Sequence, residues 1–502
     1  MNRRTLFEAA AGLLLCASGY YLAHRESYDV HTVLATAGGC QMATDIYEPS
    51  SGSPLGSVVL FHGLAANKKV MAFSAQEFAN LDLRVFVPDF PGHGRTPGAF
   101  SPARAESCAE AFLGDLIARN AVIPERNILG GHSLGGAIAI RAAAAIRVSG
   151  VIAISPAPMR AVPGFSEEML AFRDAPPLPP HSLVLTGQWE PGPIKLLGQQ
   201  LVAAAPDSTS RYQLIAGTSH VSILFSPKTF AAIREWTSQL LGTSPDRPFP
   251  RNMPALGSLL GILGLSILVP PFLREMNAAA KSSPASSAPS PSSARAFLLT
   301  GAAAAAATLL LASHAVPVHL VRIFHGDYLA VFLFFTALQI LAFSYKSLPA
   351  VKSLLSPSLL STCASALVLV LLFAGWFELT FYEAWLSPAR WLRFPLLLVL
   401  LLPWQLAEEA LLGPPASSPD FRRVAKALAL RGVVYAALFL GIEFLHSGAI
   451  LLFLLLAYFV AFSLLQRLAC DLVRFRTQSS AAAAIFGAIL LAAFALAIFP
   501  LA

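Results

Sequence analysis

From residue 254 to the end, the chain is a succession of apolar runs separated by short polar loops. No other feature restricts the fold as strongly. A hydrocarbon layer about 30 Å thick is crossed by roughly 20 residues of helix. Inside it, every backbone N–H and C=O must be satisfied by the segment itself. Spans are expected near 255–273, 296–316, 326–345, 358–380, 391–410, 431–446, 448–466 and 481–501, with a further one over Leu6 to Ala23 behind Arg3 and Arg4. The pair 431–446 and 448–466 is short, with only His446, Ser447 and Gly448 at its junction. Charged residues make up 13% of the chain, against about 25% in a soluble globular protein. The deficit falls in the C-terminal half, whereas residues 24–253 carry dispersed charges and frequent turn signals.

Loop charges give an orientation. With the N-terminus inside, the inner side collects Arg274, Lys281, Arg295, Lys346, Lys352, Arg422, Arg423, Lys426, Arg431, Arg467, Arg474 and Arg476. The outer loops hold chiefly Arg322, Arg390 and Arg393. This alternation is the positive-inside pattern, and it accounts for the net charge of +7. Nucleic acid is not implied, because no basic stripe is interleaved with aromatics. The layout describes an integral protein of a plasma (bacterial inner) membrane, with the domain after the first span on the non-cytoplasmic side. The N-terminal segment reads as an uncleaved anchor, and a twin-arginine export signal or a cleaved secretory peptide would export the same domain. Residues 281–295 are Ser, Pro and Ala with almost no apolar bulk, the composition of a disordered loop. Glu378, Glu383, Glu443 and His446 fall toward outer helix ends, and Glu408 and Glu409 toward an inner one, where headgroup hydration is the simplest expectation. The Glu408-Glu409 pair is similar to one in membrane-embedded CAAX-type proteases. That family has Arg four residues after the second Glu, where Gly413 stands here, so the resemblance stops there.

Residues 24–250 read as an α/β domain. Tyr28 to Thr36 and Cys40 to Tyr47 alternate as two strands about Gly38-Gly39. Strands at Ser57 to Phe61, Arg84 to Pro88, Asn127 to Gly131, Gly150 to Ile154, Ser182 to Thr186 and Arg211 to Ile215 alternate with helical stretches. Such alternation implies a mostly parallel sheet with helices on both faces. Cys40 and Cys108 can pair only if strand and helix bring their Cα atoms within about 7 Å, which the sequence leaves open.

Between a predicted strand and a predicted helix stands Gly131-His132-Ser133-Leu134-Gly135. In a G-x-S-x-G elbow the turn is so sharp that only glycine fits two residues to either side of the nucleophile. The hydroxyl is raised at a helix N-terminus, where N–H groups favour a developing oxyanion. Serine needs a base, and His220, in the loop after the last strand, is the best placed. His181 lies at the wrong end of the sheet, and His132 is expected to point away from Ser133. The imidazole needs an acid to fix its tautomer. Glu190 is the only acid in the loop after the preceding strand, and its rivals Asp174 and Asp207 lie outside that loop. The oxyanion donors expected are the N–H groups of Leu134 and of Leu64, which follows His62-Gly63.

In order, FHGLAANK, DFPGHGRTPG, GGHSLGG, TGQWE and AGTSH resemble the α/β-hydrolase superfamily near its monoacylglycerol-lipase-like and serine-aminopeptidase-like branch, over residues of about 28 to 242. The resemblance implies an α/β-hydrolase fold, fused here to an all-α transmembrane bundle at 251–502 of about eight helices. It makes Asp89 to Gly94 a structural loop with His93 structural. The acid is Glu190 where that family more often has Asp. The insertion Pro156 to His181 is too short for a large cap, although Met159, Phe165, Met169, Leu170 and Phe172 could line an acyl slot or simply pack.

The expected chemistry is cleavage of a carboxylic ester, with lipid acyl esters as one case, through an acyl-enzyme, with no metal or cofactor and with membrane lipids as neighbours. A serine peptidase, with Glu167 and Glu168 as weak amine anchors, an acyltransferase, and a non-catalytic binding or sensing module are the alternatives.

Overall fold

The computed structural model describes all residues except 1–2, 50–51, 161–171, 173, 207, 277–291, 314–318, 345–357, 414–419 and 445–450. Phe165, Glu167, Glu168, Met169, Leu170, Asp207, Lys281, Lys346, Lys352, His446 and most of the 281–295 loop thus lie outside the described residues.

After helix α1 (Arg3–Ala23) the chain builds one sheet: β1 (Val30–Ala37), β2 (Cys40–Tyr47), β3 (Gly56–Phe61), β4 (Leu83–Pro88), β5 (Asn127–His132), β6 (Gly150–Ile154), β7 (Ser182–Gly187) and β8 (Arg211–Ile215). The order is β1-β2-β4-β3-β5-β6-β7-β8. Only β2 runs against its neighbours, and all pairs from β4 to β8 are parallel. This is the α/β-hydrolase fold. Strands β5, β6 and β7 are buried along their whole length, as continuous apolar runs covered on both faces must be. The covering helices are α2 (Ala72–Asn80), α3 (Pro102–Ala118), α4 (Leu134–Ala145), α5 (Gly192–Ala203) and α6 (Pro227–Leu241). Ser101 caps α3, accepting from the Arg104 N–H, ahead of Pro102 at the first helical position, both favourable at an N-terminus. Cys40, at the β1–β2 turn, is bonded to Cys108 of α3, with Cα atoms 5.6 Å apart.

The remaining helices are α7 (Pro254–Met276), α8 (Ser293–Ala312), α9 (Gly326–Phe343), α10 (Ser358–Thr380), α11 (Pro388–Leu412), α12 (Phe421–Phe444), the single turn α13 (Leu451–Leu454), α14 (Leu456–Thr477) and α15 (Ser480–Ile498). Among the described residues nine helices, all of these but α13 together with α1, are long and apolar enough to cross a membrane.

The chain divides into two units. One comprises Tyr20–Ser258, Phe377–Glu383 and Pro500–Ala502; the other comprises Met1–Gly19, Leu259–Trp376 and Ala384–Phe499. The boundary at 250/251 expected from sequence lies close to Ser258. The two short segments contributed to the sheet-bearing unit from far along the chain were not foreseen.

The charges of the helical unit differ from the simple loop pattern. Arg431 lies on α12, and Arg467 and Arg474 on α14, all buried rather than in inner loops. Arg431 grips Glu408 with two bonds of 2.6 and 2.7 Å. Arg467 stands 3.1 Å from Glu408 and 2.6 Å from Glu409, and Arg474 is 2.7 Å from Glu409. Glu408 and Glu409 are therefore not wetted helix-end groups. Opposite charges that are paired can occupy a span interior, which is why α12 starts ten residues before the expected 431 and α14 runs eleven past 466. Arg390 is likewise buried in the first turn of α11, donating to the carbonyls of Leu496 and Phe499.

Candidate active site

Ser133 sits between β5 and α4 at φ 53° and ψ −117°, a backbone region that costs a non-glycine residue about 1–3 kcal/mol. Its neighbours hold it there. The Ser133 N–H donates to the Ile154 carbonyl at 2.9 Å, and its carbonyl accepts from the N–H of Ala157 at 2.9 Å. The flanking glycines are sterically required. A Cβ at Gly131 would lie 2.8 Å from the Gly136 nitrogen, and one at Gly135 would lie 2.7 Å from the His62 carbonyl oxygen, with backbone atoms closer still in both cases. Ser133 is 8% exposed.

His220 follows β8, and Glu190 follows β7. The His220 ring meets the Glu190 carboxylate through Nδ1 at 3.0 Å. The other Glu190 oxygen accepts from the Gly187 N–H at 2.7 Å and from the Ser155 hydroxyl. Burial alone would raise the Glu190 carboxyl. The His220 contact and the bonds from Ser155 and Gly187 outweigh it and hold the pKa below the ordinary value, so the group is an anion at neutral pH.

His132, the last residue of β5, meets the His220 loop. Its ring centroid is 4.8 Å from that of His220, and its Nε2 is 2.8 Å from the His220 carbonyl oxygen. Burial, with His220 adding to it, lowers its pKa to about 3, so it is a neutral prop for the His220 backbone. Neither His132 nor Ser155 was identified from sequence. A polar side chain in an apolar strand end is the only signal either gives.

The second wall is the turn after β3. A Cβ at Gly63 would be 3.3 Å from that of Ser133, so Gly63 brings the backbone close to the serine. Buried His62 is 2.8 Å from the Gly63 carbonyl through Nδ1, and its Nε2 accepts from the Phe90 N–H at 3.0 Å. The acceptor role of Nε2 leaves the proton on Nδ1. Burial lowers the His62 pKa to about 4, keeping this neutral form. Among the described residues no hydrogen bond occupies the N–H of Leu64 or of Leu134. Leu134 is the first residue of α4, where the N–H groups of any helix lack intrahelical partners.

The described contacts join His220 to Glu190 and set His220 against His132, the residue before Ser133; Gly131, Leu134 and Gly135 belong to the same elbow, and Leu64 follows Gly63, which approaches Ser133. Asp174 is elsewhere, 3.0 Å from Arg141. Of the candidate acyl-slot residues that are described, Met159 is fully buried and Phe172 lies beneath the Arg141 guanidinium at 4.5 Å, which makes Phe172 a packing residue. His93 is structural, 3.2 Å from the Pro91 carbonyl through Nδ1. Among the described residues no group of three His, Cys, Asp or Glu side chains could hold a metal ion.

Residues 58–284 match the alpha/beta hydrolase family model. A monoglyceride lipase of Rattus norvegicus is 34% identical over 130 residues, 24% of this chain and 42% of the lipase, so the chain spans less than half of that relative's length. An uncharacterized protein of Mycobacterium tuberculosis is 26% identical over 236 residues, 44% of this chain and 80% of that protein. Among solved structures, a monoacylglycerol lipase of Paleococcus ferrophilus matches with 18% identity and a TM-score of 0.33 over 40% of this chain and 99% of its own. A thermophilic esterase from Thermogutta terrifontis has 18% identity and a TM-score of 0.33 over 42% of this chain and 99% of that one.

Proposed function

We propose that the chain is a membrane-bound serine hydrolase that cleaves carboxylic esters, with apolar acyl groups such as those of lipids as the preferred class. Ser133 attacks the carbonyl carbon as the His220 imidazole takes its hydroxyl proton. The oxyanion is held by the N–H groups of Leu64 and Leu134. His220 returns the proton to the leaving alcohol, and water attacks the acyl-enzyme in a second round of the same proton transfers. Glu190 fixes the tautomer of His220 and stabilises the imidazolium. The observation that carries this reading is the 3.0 Å contact between His220 and buried Glu190, with His220 against His132, the residue before Ser133. A binding module has no use for a strained serine and an oriented imidazole. The likeness to a monoglyceride lipase supports an acyl ester over a peptide, as does the span content, since a lipid substrate is at hand.

Sidedness follows from parity. If the nine candidate spans among the described residues cross in alternation, the chain stands on the same side after the first, fifth and ninth. Those places are the stretch after α1, the segment after α10 and the residues after α15, which are the three pieces gathered in the sheet-bearing unit. A single span in place of α12 and α14 would send the C-terminus to the opposite side. The Cys40–Cys108 disulfide fits an oxidising, non-cytoplasmic compartment.

The test is covalent labelling of the full-length protein in membranes with a fluorophosphonate. Labelling of wild type and none of Ser133→Ala is the expected result. A label unaffected by Ser133→Ala, or no labelling of wild type, would overturn the assignment. Hydrolysis of a panel of p-nitrophenyl esters against aminoacyl amides then separates esterase from peptidase.

A further inference from the structure

The turn Gly63–Lys68 is held by groups from two sources. Its own domain supplies His62 on the Gly63 carbonyl and Asp89, which accepts from the Lys68 N–H at 2.6 Å and from Lys68 Nζ at 3.0 Å. The other source is Phe377–Glu383, about 300 residues further along the chain yet part of the same unit. Tyr382 donates its hydroxyl proton to the Ala65 carbonyl at 2.9 Å. Glu383 pairs with Lys68, which is 1% exposed. Glu378 pairs with Lys69 at 3.2 Å and with Arg95 at 2.6 Å. The Phe381 ring is 5.6 Å from that of Phe225. Glu378 and Glu383 are thus not headgroup-wetted span ends. They dock this segment against the turn. Gly94 makes room for Glu383, since a Cβ there would lie 2.7 Å from the Asp89 carboxyl carbon and closer still to the Glu383 carboxylate.

We infer that Tyr382 is a positioning residue for the oxyanion hole, with Glu383 as its anchor; the inference rests on the serine-hydrolase reading above. The route is a chain of peptide groups. Tyr382 bonds the carbonyl of the Ala65–Ala66 peptide. The N–H of that peptide, on Ala66, donates to the Gly63 carbonyl at 3.1 Å. The Gly63–Leu64 peptide in turn carries the Leu64 N–H that the proposed mechanism assigns to the oxyanion. Each bond polarises the next, so the phenol strengthens the donor two peptides away and fixes its direction. Ala65 sits at φ 58°, a left-handed conformation that a non-glycine residue leaves unless it is held. His93 Nε2 lies 3.4 Å from the Ala65 nitrogen, too long to hold it alone.

The test is steady-state hydrolysis of p-nitrophenyl butyrate by full-length wild type, Tyr382→Phe and Glu383→Gln in detergent micelles, each normalised by active-site titration. Removal of a direct oxyanion donor costs about 10²–10³-fold in kcat. For Tyr382→Phe, which acts through that donor, kcat per titrated site is expected to fall about 10-fold, with KM changed less than about twofold. Affinity for a trifluoromethyl ketone should fall in parallel. Glu383→Gln should give a smaller loss of the same kind. A merely structural role would lower the fraction of titratable sites and leave kcat per site unchanged, and that result overturns the inference. Wild type that cannot be titrated at Ser133 instead refutes the underlying hydrolase reading, so the two failures are distinguishable.

Discussion

Glu190→Gln is the substitution whose outcome the site geometry fixes most tightly. The carboxylate is used on both oxygens: one meets His220 Nδ1 at 3.0 Å, and the other takes the Gly187 N–H at 2.7 Å together with the Ser155 hydroxyl. A glutamine amide has one oxygen and one NH2 group. The Gly187 N–H is a fixed backbone donor in a site where Glu190 is 4% exposed. The oxygen must therefore stay on that side, and the NH2 must face His220. The imidazole can meet it only by accepting on Nδ1, which puts the ring proton on Nε2. In that tautomer it cannot take a proton from Ser133. Locking the wrong tautomer costs about 10⁴-fold in kcat in a serine triad, or about 5.4 kcal/mol at 1.36 kcal/mol per tenfold. The measurement is kcat for p-nitrophenyl butyrate per titrated site, with a melting curve to show that the variant is folded. Ser155 can turn its hydroxyl either way, so it offers no relief. A folded Glu190→Gln protein with kcat within tenfold of wild type would refute the role given to Glu190 and the argument from its two occupied oxygens.

Two further outcomes concern stability. The Cys40–Cys108 bond closes a separation of 68 residues, for which chain entropy gives about 4.4 kcal/mol at 25 °C. Cys40→Ser/Cys108→Ser should therefore lower the denaturant midpoint for loss of fluorophosphonate labelling, and an unchanged midpoint would show that the bond is not formed. Gly135→Ala would force a methyl against the Phe61 and His62 carbonyls. Because those atoms are the backbone at the end of a central strand, about 3 kcal/mol of destabilisation is expected, read as reduced survival of labelling after heating.

The site was legible in sequence to the extent that its groups obey local rules. Gly131 and Gly135 mark the elbow because no other residue fits two positions from the serine. Glu190 and His220 could be found because a parallel sheet exposes its functional loops at one end, after β7 and β8. The contact of His132 with the His220 loop was not legible, because a turn's direction does not say where a ring meets a loop 88 residues away. Glu408 and Glu409 were misread as wetted helix ends because each Arg that neutralises them lies on another helix.

The amino-acid sequence by itself determined the division into an α/β domain and a series of apolar helices, since periodicity and run length act on each segment independently. It also singled out Ser133, His220 and Glu190 as the proposed nucleophile, base and acid, because strand-and-loop order sets where such residues emerge. Only the tertiary structure decided that Tyr382, Glu378 and Glu383 belong with the turn beside Ser133 rather than with lipid headgroups. Ion pairs and hydrogen bonds join atoms by distance in space, and nothing in the local pattern of either partner records which distant segment completes it.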